Sequence, residues 1–241
     1  LKVRCIPMAQ KRSAKYKPEM HVTGSQKTPK KKKLKPSSAR WVERQLKDAY
    51  VKLANQDGYR SRAAYKLIEL DDKFRIFRIG QNIVDLGAAP GSWTQVAVSR
   101  VKSGNQTEGR VISVDINPIV PIRGATILEM DFLAPTAKTA IIAQLLPKYA
   151  DVVLSDMASP ATGHRQTDAL RVSGLCEAAL DFATDALAPG GSFIAKVLKV
   201  GAEQGLVEKM RLKFKTVRHA KPPASRKESS ESYVVAMDYR P

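Results

Sequence analysis

Short apolar runs alternate with helix-length segments along most of this chain, and this alternation constrains the fold more than any other feature. The runs are rich in Val and Ile and lie at residues 83–86, 111–114, 126–130, 152–155, 193–198 and 233–237. A long helix is predicted over about 166–188, ending before the breaker Pro189-Gly190-Gly191. Strands that alternate with helices predict an α/β fold, with a largely parallel sheet covered on both faces.

Two helices are predicted ahead of the first strand. In the first, apolar residues recur at near-helical spacing at Trp41, Leu46, Tyr50 and Leu53. The second is predicted to begin at Ser61, whose hydroxyl suits an N-cap. The chain therefore has a helical lead-in before its α/β core.

Positive charge is concentrated at the amino terminus. The formal net charge is +18, and residues 1–40 hold 13 Lys and Arg against one acid. Few apolar residues and four prolines leave residues 1–37 unable to offset the entropy of ordering, so we predict a disordered basic arm before a folded domain over 38–241. A nucleic-acid-contacting arm is favoured, since a pI near 10 suggests a polyanionic partner. A solubilising tail and an organelle transit peptide are the alternatives.

Composition excludes several classes of protein. No apolar run approaches the roughly 18 to 20 residues that span a bilayer, so an integral membrane protein is excluded. Cys5 and Cys176 cannot form a disulfide framework, and Cys176 is predicted to be a core residue. A reducing compartment follows, the bacterial cytoplasm ahead of the mitochondrial matrix. His21, His164 and His219 lack metal-ligand spacing, so no metal site is predicted.

The first predicted strand ends in a glycine-rich turn, Asp85–Trp93 (DLGAAPGSW), that leads into a helix. Ligands of α/β sheets bind beyond the carboxyl ends of the strands, so this turn indicates a nucleotide-type cofactor. It has neither the GxxxxGK[ST] of a phosphate-binding loop nor the GxGxxG of a dinucleotide site, and Pro90 removes one N–H donor. An adenosyl ligand without phosphate is favoured, and S-adenosylmethionine fits.

Acids at the next two strand ends support this interpretation. Asp115 ends the second predicted strand, where it is placed to accept hydrogen bonds from a ribose diol. Asp131 ends the third, where it suits the adenine amino group. Either residue alone is as typical of a turn or a helix cap. Together with the glycine-rich turn, they predict a cofactor site.

Five motifs in order resemble those of the FtsJ-type ribose 2′-O-methyltransferases, most closely the enzymes that methylate a uridine in the A-loop of large-subunit ribosomal RNA. They are Gly58–Leu67, the Asp85–Trp93 turn, Ser155–Ala158, Pro189–Lys196, and Lys221–Arg226 followed by Glu231-Ser232-Tyr233. The resemblance covers about residues 38–238. It implies a Rossmann-like, seven-stranded, mostly parallel sheet with an antiparallel last strand. It also implies a monomer that transfers methyl groups from S-adenosyl-L-methionine to ribosomal RNA, free or within the large subunit.

The resemblance also assigns site residues. The family's catalytic set falls on Lys66, Asp156, Lys196 and Glu231, and its cofactor contacts fall on Gly91, Trp93, Asp115, Asp131 and again Asp156. A lysine serves as base when burial or a neighbouring cation lowers its pKa. We therefore assign Lys196 as the base of the 2′-hydroxyl, Lys66 as the neighbouring cation and the two carboxylates as orienting partners.

Two departures from the family pattern stand out. Ser92 occupies the position of a family glycine, where a side chain is expected to crowd the methionine moiety, and Ser159-Pro160 replaces a polar residue beside the acceptor.

A basic segment follows later, and we predict that it contacts phosphates, although a solvated face is the alternative. Its members are Lys209, Arg211, Lys213, Lys215, Arg218, Lys221, Arg226 and Lys227. Arg60 and Arg62 extend this predicted surface.

Other functions stay open at this point. A non-catalytic, RNA-binding ribosome-assembly factor is disfavoured, because binding alone does not need two lysines and two carboxylates together. A methyltransferase for messenger RNA caps is disfavoured by the absence of an extra cap-gripping domain. A transfer RNA methyltransferase is harder to exclude.

Overall fold

The computed structural model describes residues 48–104, 109–160, 162–198 and 204–241, and the predicted basic arm lies outside them. The described helices are α1 (Ala49–Asp57), α2 (Ala63–Phe74), α3 (Ser92–Val101), α4 (Ala137–Leu145), α5 (Arg165–Ala186) and α6 (Gln204–Lys213). The strands are β1 (Ile83–Leu86), β2 (Val111–Asp115), β3 (Ala125–Glu129), β4 (Ala150–Ser155), β5 (Leu187–Leu198), β6 (Phe214–Ala220) and β7 (Glu231–Tyr239).

All seven strands join one sheet in the order β3-β2-β1-β4-β5-β7-β6. Strands β1 to β5 pair in parallel, whereas β7 lies antiparallel to both β5 and β6. The order reverses beside β1, so the carboxyl ends of β1 and β4 flank the switch point at which ligands of such sheets bind. The predicted fold class, a mostly parallel seven-stranded sheet with an antiparallel last strand, is confirmed.

Helices cover both faces of the sheet. Helices α2 and α3 pack on one face, where Leu67 and Val96 are buried with Ile83 of β1. Helices α4, α5 and α6 cover the other face, where Val84 is buried with Cys176, a core residue as predicted. Neighbouring residues of β1 point to opposite faces because side chains alternate along a strand. The two cores hold the strand ends, and therefore the loops beyond them, in fixed positions.

The structure differs from the pattern-based expectations at several boundaries. Strand β6 was not predicted from hydrophobicity, because it is an edge strand whose exposed Lys215, Arg218 and His219 mask its two buried ends. Helix α2 begins at Ala63 rather than Ser61, although the Ser61 hydroxyl does accept a hydrogen bond from Ala63 N at 3.2 Å.

Two further boundaries concern the first and the longest helix. Helix α1 begins at Ala49, capped by the side chain of Asp48, and the predicted contributions of Trp41 and Leu46 lie outside the described residues. Helix α5 ends at Ala186, and β5 starts immediately with an irregularity in its pairing with β4. Within the described ranges, no helix is both long and apolar enough to cross a membrane.

Candidate active site

A cavity of about 300 Å³ opens at the carboxyl ends of β1, β2 and β4 and beyond β3. Three carboxylates predicted from the sequence, Asp115, Asp131 and Asp156, line it together. Asp131 lies two residues beyond the end of β3 rather than at the strand end. Apolar side chains form the rest of the wall, among them Met130, Phe132 and Leu175. The cavity therefore combines hydrogen-bond acceptors with a surface suited to a flat apolar ring.

Asp115 fixes the glycine-rich turn against the second strand. Its Oδ2 accepts a hydrogen bond from Ala89 N at 2.9 Å, and its Oδ1 accepts one from Asn117 N at 2.8 Å. Asn117 Nδ2 also donates to Oδ1 at 3.0 Å, so about one of the four lone-pair sites of the carboxylate is left for a ligand hydroxyl. Asp131 is similar: Oδ1 accepts from Leu133 N at 2.9 Å.

Glycine is required at two points of the turn. Gly87 has a φ of 73°, and a Cβ there would lie 2.8 Å from the backbone N of Met157. Gly91 has a φ of 106° and caps the start of α3. A Cβ at Gly91 would lie 2.7 Å from a guanidinium nitrogen of Arg60 and 2.8 Å from Ile122.

Two of the predicted cofactor contacts, Gly91 and Trp93, do not line the 300 Å³ cavity. Trp93 is buried, donates from Nε1 to the carbonyl of Ala63 at 2.9 Å and packs against Tyr233. It lines a small side pocket of about 20 Å³ that shares Gly87 and Asp156 with the larger cavity. Trp93 is therefore placed beside one end of the larger cavity, not within its wall.

The four predicted catalytic residues form two ion pairs. Lys66 Nζ lies 2.7 Å from Glu231 Oε1, and Lys196 Nζ lies 3.0 Å from Asp156 Oδ1. Lys196 also donates to the backbone carbonyl of Asp156 at 2.7 Å. All four side chains are largely shielded, with exposed fractions between 10% and 19%. The structure thus gathers residues that lie up to 165 positions apart.

The sheet register explains this convergence. Lys196 of β5 pairs with Tyr233 of β7, and Leu198 pairs with Glu231. Side chains of paired residues, and of residues two apart on a strand, share a face. Lys196, Tyr233 and Glu231 therefore project from one face, and Asp156 follows β4 directly beside β5.

Tyr233 joins the two ion pairs, although the sequence motifs predict no role for it. Its hydroxyl donates to Asp156 Oδ1 at 3.1 Å, and Lys66 Nζ lies 5.9 Å from its ring centroid. Its only sequence signal was its place two residues after Glu231 within a strand. Burial, together with the nearby carboxylates Asp156 and Glu231, raises the pKa of this hydroxyl well above its ordinary value. Tyr233 therefore stays protonated and donates throughout the neutral range.

Glu231 is held in its ionised form. Burial alone would raise its pKa, but the charge and hydrogen bond of Lys66 outweigh burial, assisted by a hydrogen bond from Ser225 and the charge of Lys196. The net result is a pKa of Glu231 below its ordinary value. The Ser225 hydroxyl donates to Glu231 Oε1 at 2.9 Å. Lys66 thus faces a permanent negative charge at neutral pH.

A second cavity, of about 240 Å³, lies on the other side of the Lys66–Glu231 pair. Arg62 and Arg226 line it together with the hydroxyl-bearing residues Ser61 and Ser229. Asp48 pairs with both arginines, and Arg62 also donates to the carbonyl of Ala224. This cavity is a polar, cation-lined space that includes two of the predicted catalytic side chains, Lys66 and Glu231.

The residues of the predicted basic surface do not form one continuous patch beside the two cavities. Phe214 pairs with Tyr239 at one end of β6, and Ala220 pairs with Tyr233 at the other, about 20 Å away at ~3.3 Å per residue. Lys213 and the residues of α6 before it therefore lie toward the end of the strands that is opposite the site. Lys209 is paired there with Glu177. Lys221 braces its own loop through the carbonyls of Lys227 and Ser229. Arg226 is the member that lines the second cavity.

The departure at Ser92 has a structural explanation. Ser92 is 2% exposed, and its hydroxyl lies 2.8 Å from that of Ser61. This hydrogen bond links the start of α3 to the segment that precedes α2. It engages the extra hydroxyl, while Ser92 lines the small pocket beside Trp93, the region in which a side chain is predicted to crowd the methionine moiety.

Asp85, the first residue of the turn, carries a fully buried carboxyl group for which the sequence motifs predict no role. Thr94 donates to its Oδ2 at 2.7 Å, and its buried Oδ1 has no hydrogen-bond partner. Burial raises its pKa to about 7, with Asp156 and Asp115 adding to the shift against the hydrogen bond from Thr94. Among the described residues, no three His, Cys, Asp or Glu side chains are grouped as a metal site requires.

Solved structures share this fold. A solved structure described as a ribosomal RNA methyltransferase from Plasmodium falciparum aligns with a TM-score of 0.67 and 29% identity, covering 75% of this chain and 98% of that one. A structure described as a hemolysin from Lactococcus lactis aligns with a TM-score of 0.53 at 16% identity and shows the shared fold alone. The fold and the site together define a Rossmann-like methyltransferase.

The family follows from the sequence match. The model of the FtsJ-like methyltransferases matches residues 59–239, and this chain belongs to that family. Proteins named "Ribosomal RNA large subunit methyltransferase E" are 53% identical in Parvibaculum lavamentivorans, over 85% of this chain and 82% of that protein, and 52% identical in Nitrobacter winogradskyi, over 92% and 94%. The predicted family is thereby confirmed, and membership implies a methyl donor of the S-adenosylmethionine type.

Proposed function

We propose that this protein transfers a methyl group from S-adenosyl-L-methionine to a ribose 2′-hydroxyl of large-subunit ribosomal RNA. The observation that carries the proposal is that the two lysine–carboxylate pairs border two cavities of different character: Asp156 lines the larger, and Lys66 and Glu231 line the smaller. One cavity is lined by carboxylates and apolar side chains, and the other by arginines. The names of the relatives indicate the substrate class, and we propose an A-loop uridine as the target nucleotide.

The larger cavity fits the adenosyl part of the cofactor. Asp115 and Asp131 offer acceptors to the ribose diol and the adenine amino group, and Phe132 offers an apolar surface to the base. Asp156 lines both this cavity and the small pocket formed with Pro90, Ser92 and Trp93, where we expect the methionine part. When bound, the cofactor supplies an electrophilic methyl group on a positively charged sulfur.

The smaller cavity fits the acceptor nucleotide. Arg62 and Arg226 are placed to contact phosphate oxygens, with Asp48 holding both guanidinium groups in position. Ser61 and Ser229 add hydroxyl groups that hydrogen-bond to ribose or phosphate. The acceptor ribose would then lie against Lys66.

Proton transfer is assigned to Lys196. The bound cofactor would supply the methyl group to the 2′-oxygen and keep the electron pair of the broken bond on its sulfur, while Lys196 Nζ, in its uncharged amine form, would take up the hydroxyl proton. Asp156 and its carbonyl orient that nitrogen, and Tyr233 orients Asp156. Lys66, fixed by Glu231, supplies positive charge beside the developing alkoxide. Positioning of the two bound substrates contributes further to the rate.

The test is transfer of labelled methyl from S-adenosylmethionine to large ribosomal subunits and to free ribosomal RNA, followed by alkaline hydrolysis. A methylated 2′-oxygen cannot attack its phosphodiester, so one resistant linkage identifies ribose methylation and its position. We expect label at one ribose. Label in a base, or in transfer RNA alone, would contradict the proposal.

The setting in the cell follows from the substrate. We propose that the protein acts as a monomer in the compartment where ribosomal subunits assemble, the cytoplasm in bacteria. Sedimentation of the protein with and without ribosomal RNA tests the monomer. A stable dimer in the absence of RNA would contradict it.

A further inference from the structure

Arg60 joins three parts of the molecule beside the larger cavity. Its Nη1 donates to the carbonyl of Pro90 in the glycine-rich turn at 2.8 Å, and its Nη2 donates to the carbonyl of Pro121 at 3.2 Å. Pro121 belongs to the segment between β2 and β3, and Arg60 itself lies three residues before α2, which carries Lys66. One planar guanidinium group, with two nitrogens in fixed geometry, thereby spans all three.

The main chain of Arg60 is anchored as well. Arg60 N donates to Gln95 Oε1 at 2.9 Å, and Gln95 Nε2 donates to the carbonyl of Gly58 at 3.0 Å. The Ser61–Ser92 hydrogen bond adds a contact one residue further on. Ser92 and Gln95 both belong to α3, the helix that follows the turn. These hydrogen bonds therefore fix the backbone of Arg60 against α3.

The guanidinium group lies directly on the turn. A Cβ at Gly91 would be 2.7 Å from Arg60 Nη1, a separation too short for a real side chain. On the neighbouring residues, Asp115 holds Ala89 N and Arg60 holds the Pro90 carbonyl. Side chains therefore fix the turn from two sides, in addition to the backbone hydrogen bonds that Gly87 N and Ala88 N donate to the carbonyl of Val114. Arg60 is the side chain that holds the Pro90 end of the turn.

We propose that Arg60 is a positioning residue that holds the cofactor-binding turn and couples it to the catalytic lysine on α2. This inference rests on the proposed S-adenosylmethionine site. It replaces the role of phosphate contact predicted for Arg60, because its two contacts tie the guanidinium group to the turn and to the β2–β3 segment, and Arg60 does not line the second cavity as Arg62 and Arg226 do. Arg62 and Arg226 keep the phosphate role.

The experiment measures the affinity for S-adenosylhomocysteine by calorimetry in the full chain and in Arg60→Ala, Arg60→Lys and Arg100→Ala. We expect Arg60→Ala to raise the Kd about tenfold or more, the effect of losing two hydrogen bonds. Arg60→Lys should recover part of the loss, because an ammonium group keeps the charge but lacks the fork that reaches both carbonyls. Arg100 is the matched control, an arginine of α3 that pairs with Asp71 and Asp72 and leaves the turn untouched.

A second measurement separates positioning from phosphate contact. The slope of log RNA affinity against log salt should be unchanged in Arg60→Ala, whereas Arg226→Ala should flatten it by roughly 0.7 to 0.9. The assignment would be overturned if the Kd of Arg60→Ala for S-adenosylhomocysteine stayed within twofold of the wild-type value and the slope of its RNA affinity against salt became flatter. If Arg60→Ala fails to fold, the Kd of Arg60→Lys decides alone. Wild-type protein that binds no S-adenosylhomocysteine would instead overturn the proposed cofactor itself.

Discussion

Lys66 and Glu231 are 165 residues apart in the chain, and their charged atoms lie 2.7 Å from each other. One belongs to helix α2 and the other begins the last strand, β7, so this pair ties the helix to the sheet. Both side chains are largely shielded, and removing either partner leaves a charge in a poorly solvated place. The same contact therefore serves stability and the site.

The first prediction follows from this pair. Glu231→Gln should lower the free energy of unfolding by about 1–3 kcal/mol at neutral pH, because Lys66 loses its charged partner. The folded-state pKa of Glu231 lies below its ordinary value of 4.5, so its stabilising contribution is present above that pH and is lost as pH falls through the lower folded value. Urea unfolding at about pH 7 and about pH 3 measures the change.

The control is Asp185→Asn, which removes an exposed pair with Lys138 and should cost less than about 1 kcal/mol. The difference between the wild type and Glu231→Gln should shrink at the acidic pH. An equal difference at both pH values would contradict the ionised state assigned to Glu231.

The second prediction concerns the proposed base. Lys196→Ala should lower the rate of methyl transfer by about 10²-fold or more, because the 2′-hydroxyl loses its proton acceptor. Cofactor affinity should stay within a few-fold, since Lys196 does not line the larger cavity. Single-turnover methylation and calorimetry separate the two effects, with Lys209→Ala on α6 as the control. Near-normal turnover in Lys196→Ala would require another base.

The sequence predicted most of this architecture for physical reasons. The buried strands β1, β2, β4 and β5 carry continuous apolar runs because both of their faces are covered. The edge strand β6 lacks that signal. The four predicted catalytic positions depend on motif resemblance, since Glu231 alone is typical of a surface strand residue.

Other features depend on three-dimensional packing that no local pattern encodes. The Tyr233 contact with Asp156 follows from pairing of two distant strands. The Arg60 contacts involve carbonyl groups, which every residue has, so the sequence cannot mark them. Asp85 belonged to a recognised turn, but its unpartnered oxygen became visible only when Thr94 was placed beside it.

The third prediction tests the cofactor cavity. Asp115→Ala should weaken cofactor binding by about 1–3 kcal/mol, because ribose hydroxyls lose an acceptor and the Ala89 N–H loses its partner. Calorimetric titration with S-adenosylhomocysteine gives the Kd directly, and Asp185→Ala is a matched loss of an exposed carboxylate. Equal affinities for the two variants would place the ribose elsewhere.

The fourth prediction concerns Asp85. Its folded pKa of about 7 lies above the ordinary 3.8, so the folded state retains a proton that the unfolded chain releases. The stability from this group is present below the ordinary pKa and is lost as pH rises through about 7. Asp85→Asn should remove that dependence. The free energy of unfolding of the variant should therefore rise relative to that of the wild type between about pH 5 and about pH 8. Urea unfolding at both pH values measures it. A wild type that gains on the variant as pH rises would show that Asp85 is ionised in the fold.

The last prediction concerns the basic arm, residues 1–37, which carries most of the net positive charge and none of the matched motifs. Deleting residues 1–35 should leave the single-turnover rate of methyl transfer intact at saturating RNA, because no assigned site residue is removed. RNA affinity should fall most at low salt, since each neutralised phosphate contributes roughly 0.7 to 0.9 to the slope of log affinity against log salt. If about four lysines touch phosphates, the slope should flatten by about 3 units. These contacts carry no base information, so matched and mismatched RNAs should weaken alike. A salt slope unchanged by the deletion would show that the arm does not contact RNA and would favour a solubilising or targeting role.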